Sequence, residues 1–72
     1  MTWRIVVNTS ERKVWHHENG ECSIAYFAKY AGHINRVEYL DNRTGDNLDH
    51  MNTFENQVGA FKYIFLLMEE YQ

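Results

Sequence analysis

Five side chains carry the donor atoms that metal or nucleophilic chemistry requires: His16, His17, Cys22, His33 and His50. Zinc is held by four ligands, and its sequence signature is a tight local pair such as Cys-x2-Cys or His-x3-His. His16 and His17 are adjacent, so on a strand their rings point to opposite faces. A two-residue hairpin at Asn19-Gly20 sets His17 across from Cys22, but two ligands do not close a site. Neither a metal nor another cofactor is expected. Cys22 with a histidine could also serve as nucleophile and base. That chemistry further needs an oxyanion hole, an orienting third group and a concave pocket. A chain of 72 residues seldom encloses all three. Glu69 and Glu70 sit about 100° apart on a helix and face no common substrate. No enzymatic activity is expected.

Other pattern matches fail at a required position. Asp41-Asn42-Arg43-Thr44-Gly45-Asp46 echoes a calcium loop, but Arg43 stands where an oxygen ligand belongs. Residues 28–33 echo the start of a helix-turn-helix, whose second helix would then have to bury Glu38 and Asp41. Asn8-Thr9-Ser10 and Asn42-Arg43-Thr44 match the glycosylation pattern, but the first eight residues do not form a secretory signal. A glycine-rich phosphate loop is absent.

Charge narrows the partners. The formal net charge is −3. Residues 1–35 hold four bases against three acids, and residues 36–72 hold three bases against seven acids. A phosphate-backbone binder needs a basic face, and seven scattered bases do not make one. A narrower alternative stacks single-stranded bases on Trp3, Trp15, Tyr26, Tyr30 and Tyr39, with Arg4, Arg12, Lys13 and Arg36 on the phosphates. The acidic half suits a basic protein patch better. Glu38, Asp41, Asp46 and Asp49 are its densest cluster.

Those residues need a scaffold, and the chain is long enough for one domain, residues 1–72. One cysteine makes no internal disulfide, which points to a reducing, cytoplasmic setting. The longest apolar run, Tyr63 to Met68, is far short of the roughly 20 residues a membrane span needs. Residues 3–8 alternate as a half-buried strand, with Trp3, Ile5 and Val7 on one face. Residues 12–18 form a second strand, with Val14 and His16 facing one way and Trp15 and His17 the other. Asn19-Gly20 is a strong turn signal. Residues 23–32 suit a short helix: Ser23 caps it, Ile24, Phe27, Ala28 and Ala31 make its apolar face, and Gly32 stops it. The alternative is a strand pairing back across the turn, which would set Ile24 opposite Trp15. Residues 34–41 are a strand, with Val37 and Tyr39 on one side and Ile34, Arg36, Glu38 and Leu40 on the other. Asp46 to His50 suit another short strand.

The last element is a long helix. Asn52 caps it, with Glu55 three residues on. Its apolar stripe falls at 54, 58, 61, 65 and 68. Beside it runs a second stripe at Ala60, Ile64, Leu67 and Tyr71, with Tyr63 and Leu66 outside both. The expected fold is therefore α+β: a small antiparallel sheet of three to five strands, a short middle helix, and the long helix packed on one face.

Two apolar stripes exceed what one helix needs to sit on a sheet, where the buried stripe is about 100° wide. The surplus reads as an interface. The expected function is that of a non-enzymatic interaction protein. It would be a small inhibitor or adaptor of the phage or mobile-element type, blocking a host or defence protein. Its contacts would be the charges of Glu38, Asp41, Asp46 and Asp49 and the apolar side chains of Tyr63, Leu66, Leu67 and Tyr71. Self-association through the C-terminal helix is the second expectation.

Overall fold

The computed structural model describes residues 3–32, 34–45 and 48–70, with Tyr30, Ala31 and Leu48 described by their backbone. Five strands run in chain order: β1 (Trp3–Asn8), β2 (Arg12–His17), β3 (Cys22–Ala31), β4 (Ile34–Asp41) and β5 (Leu48–Phe54). One helix, α1 (Gln57–Glu70), follows. Every strand pairs antiparallel with its sequence neighbour, so the sheet is an up-and-down meander, β1-β2-β3-β4-β5. The helix lies across β3, β4 and β5 on one face. The α+β reading and the antiparallel sheet hold. Among the described residues no helix is long and apolar enough to cross a membrane.

The expected middle helix is not present: residues 22–31 form β3. Trp15 pairs with Ile24 and His16 with Ser23, the register of a chain reversal centred on Asn19-Gly20. Gly20 sits at φ +75°, where a side chain would be strained. Burial alternates along the strand: Cys22, Ile24 and Tyr26 are buried, while Ser23, Ala25 and Phe27 are only half-buried. Two flanking partners supply ladder hydrogen bonds to β3, and three alanines of good helix propensity do not outweigh that. A bulge between Phe27 and Ala31 absorbs the residues beyond, with Lys29 at φ +56°.

A second bulge corrects the reading of β1. Trp3 and Ile5 oppose His17 and Trp15, but the register then slips, and Val7 opposes Val14 on the other face. The helix-side face thus carries Trp3, Trp15, His17, Cys22, Ile24, Tyr26, Val37 and Tyr39. Most of these, with Ala60, Ile64 and Leu67 of α1, form the core. Trp3 meets His17 edge-on, with ring centroids 5.0 Å apart. Tyr26 is fully buried, and its hydroxyl donates to the buried Asn35 side chain at 2.7 Å.

The last strand is longer and later than its signal. β5 runs to Phe54, which pairs with Asn35, so residues 51–54 are held in the sheet. Asn52 therefore cannot cap the helix; its amide donates to the Tyr63 hydroxyl instead, at 2.8 Å. Asn56 takes the capping role, its side-chain oxygen accepting from the Gly59 N–H at 2.8 Å.

The helix seats the second apolar stripe rather than the first. Ala60, Ile64 and Leu67 are buried. Phe61 and Met68 lie at the flank, and Val58 and Phe65 are 64% and 63% exposed. Ala60 explains the choice. Its small side chain lets the helix backbone approach the sheet, where a larger residue would hold it off.

Candidate functional site

Three places gather functional side chains. The first is a buried polar cluster where β3 starts and β4 ends. Antiparallel register brings Cys22 opposite Asp41. The Cys22 thiol donates to Asp41 Oδ1 at 3.6 Å, and the Tyr39 hydroxyl donates to Oδ2 at 3.3 Å. The same hydroxyl lies 3.7 Å from Cys22 Sγ. Arg43, in the turn that follows, clamps the carboxylate with Nε at 3.0 Å and Nη2 at 2.7 Å, and its backbone N–H donates to Oδ1 at 3.0 Å. Those hydrogen bonds hold the Asp41 carboxyl far below the ordinary carboxylate range, against the opposing effect of burial. Burial pushes the Tyr39 phenol far above its ordinary value, and the neighbouring Cys22 and Asp41 add to the effect.

This arrangement locks a turn; it does not present a nucleophile. Cys22 is 3% exposed. The cleft beside it has about 230 Å³ and is lined by His16, Glu21, Cys22, Ser23, Leu40 and Asn42. That is smaller than the roughly 300–1,000 Å³ of a ligand pocket. His17 is buried, and its Nδ1 accepts from the Asn19 backbone at 3.1 Å. His16 and His50 are exposed, and His33 lies outside the described residues. Among the described residues no group of three His, Cys, Asp or Glu side chains lies together to hold a metal ion.

The cluster makes stability depend on alkaline pH. A raised folded pKa means that the Tyr39 contribution is complete below the unfolded value of 10.0 and is lost as pH rises past it. Urea midpoints from pH 8 to 11 should decline above about pH 10. Tyr39→Phe should flatten that decline by up to about 1.4 kcal/mol per pH unit. An identical alkaline slope in the variant would show that another group titrates.

The second place is the sheet face away from α1. Arg12 and Arg36 sit over the Phe27 ring, 5.8 and 6.0 Å from its centroid. Arg36 pairs with Glu38 at 2.9 Å and also lies against the Met51 sulfur. Phe27 therefore has a guanidinium on it already. Trp3, Trp15, Tyr26 and Tyr39 all lie on the helix-side face, three of them buried, and the Tyr30 side chain lies outside the described residues. Arg4, Arg12 and Arg36 lie on the opposite face and Lys13 on the helix side, where it donates to Asn8 at 2.6 Å. The aromatics and arginines expected to share a base-stacking surface are thus separated by the sheet.

Two of the four acids in the acidic cluster are already paired. Glu38 is paired with Arg36, and Asp41 is buried and paired with Arg43. Asp49 is exposed, and Asp46 lies outside the described residues. A strand places residues i and i+2 on one face, so the Arg36–Glu38 pair was readable in the sequence. The Asp41–Arg43 clamp, which depends on the turn conformation, was not.

The third place is the outer face of α1. Val58, Phe65 and Leu66 are 64%, 63% and 63% exposed, with Lys62 and Glu69 on the same side. Leu66 is where the surplus surface was expected. Leu67 is not: it is 7% exposed and belongs to the core. Tyr63 is half-buried against Phe54, with ring centroids 5.4 Å apart. Tyr71 lies outside the described residues. Phe65 and Val58, assigned by periodicity to the buried stripe, are exposed apolar side chains that sequence reasoning missed. No family model matches this chain, and no curated protein and no solved structure matches it either.

Proposed function

We propose that the protein is a non-enzymatic interaction module, an inhibitor or adaptor acting in the cytoplasm, whose contact surface is the outer face of α1. The observation that carries this reading is the exposure of Val58, Phe65 and Leu66 on one side of a helix whose opposite side is fully seated. Exposed apolar groups gathered on one element, rimmed by charge, are the usual composition of a protein contact. Phe65 and Leu66 are its anchors. The charge contribution is smaller than the acidic cluster implied, because Arg36 and Arg43 already occupy Glu38 and Asp41.

Phe65→Glu with Leu66→Glu tests this. Partners captured by the parent chain are identified by mass spectrometry, purified, and titrated against both proteins by calorimetry. Loss of two anchors should weaken binding by at least about thirtyfold, as truncation of hot spots does. The urea midpoint should stay close to the parent's, since both side chains are exposed. An unchanged affinity would mean that the contact lies elsewhere.

A further inference from the structure

We infer that the occupant of the α1 outer face is a second copy of this chain, bound through antiparallel pairing of the two helices. The inference rests on the reading of that face as a contact surface and names its partner.

The argument is one of self-complementarity. The outer face presents Lys62, Phe65, Leu66 and Glu69 in that order, with Val58 two turns before Phe65. A two-fold axis between residues 65 and 66 maps each residue onto the one at equal distance on the partner helix. Phe65 then meets Leu66 of the other copy, and Leu66 meets its Phe65. Lys62 meets the other copy's Glu69, and Glu69 meets its Lys62. The apolar pair falls at the centre and the opposite charges at the rim, as an isologous contact requires. A parallel pairing would instead set Lys62 against Lys62 and Glu69 against Glu69. Lys62 and Glu69 are both exposed in the single chain, as are Phe65 and Leu66 between them.

Size sets the strength. With this axis the two helices overlap over residues 61–70 and leave Val58 outside the contact, so the pair buries no more than about 1,000 Å² in total, below the roughly 1,200–2,000 Å² of a stable specific interface. A dimer of this size dissociates at micromolar concentrations rather than nanomolar ones.

Sedimentation velocity on the full chain from about 1 to 500 µM reads the proposal directly. The expected mass rises from 8.6 kDa toward twice that value across this range. Lys62→Glu alone, and Glu69→Lys alone, should each weaken dimerisation about tenfold, because each converts two attractions into two repulsions. The double swap Lys62→Glu with Glu69→Lys should restore it, which only the antiparallel register predicts. Phe65→Glu should abolish it, with circular dichroism confirming that the fold is intact. A chain that stays monomeric at every concentration overturns the inference. So does a dimer that the single charge reversals leave unchanged. If the chain is monomeric but Phe65→Glu still removes a purified heterologous partner, the interaction surface stands and only its assignment to a second copy fails. If neither dimerisation nor partner binding responds to Phe65→Glu, both readings fall.

Discussion

Ile64→Ala is expected to destabilise the fold by about 3 kcal/mol, within the roughly 2–5 kcal/mol seen when a buried isoleucine is cut back to alanine. Ile64 is 1% exposed and belongs to the same buried core as Tyr26, Val37 and Tyr39. A chain of 72 residues has a total stability of about 4–11 kcal/mol, so this one change removes a large share of it. Phe65→Ala, one residue along the same helix, should shift stability by no more than about 0.5 kcal/mol, because the side chain is 63% exposed. Urea unfolding followed by tryptophan fluorescence measures both. Equal losses from the two variants would mean that α1 is rotated from the orientation described.

The second large effect is at acid pH. Asp41 has a depressed folded pKa, so its contribution is present above the unfolded value of 3.8 and is lost as pH falls below that value toward the folded one. Asp41→Asn should cost about 1–2 kcal/mol at pH 7. The lower part of that range reflects the Arg43 side chain, which is 43% exposed and partly screened by water. The variant should also lack part of the parent's decline between about pH 4 and pH 2, because the group responsible no longer titrates. Stability curves for parent and variant that run parallel through this range would mean that the Arg43 clamp is not closed in solution.

How far the sequence disclosed this structure depended on whether the deciding signal was local. The alternation in β4 is strict, and Asn19-Gly20 fixes the reversal between β2 and β3, so those elements were legible. The segment from Ser23 to Gly32 was not. Its alanines favour a helix, and the pairing that overrides them comes from β2 and β4 on either side. The start of α1 was misplaced because Asn52 and Asn56 are equally good caps. Only the pairing of Phe54 with Asn35 excludes the first. Both apolar stripes of α1 satisfy the helical period, and periodicity cannot rank them. The small Ala60 could have done so, since the closest approach to a sheet favours the stripe with the smallest residue. On α1, Leu66 is exposed as expected, but Leu67 was drawn from the stripe that the core uses. Phe65 was hidden in the stripe thought to be buried.

The meander also has a kinetic consequence. Because every strand pairs with its sequence neighbour, the sheet closes through short loops, and each hairpin loses little chain entropy as it zips. The contacts of α1 with β3 and β4 span longer stretches of chain than any strand pairing does. Folding should therefore begin in the central hairpins, with the helix docking late, after the rate-limiting barrier. In that order the cost of Ile64→Ala falls on the unfolding rate and leaves the refolding rate nearly unchanged. Stopped-flow measurements on the same variant decide it, and a slowed refolding arm would place the helix in the nucleus instead.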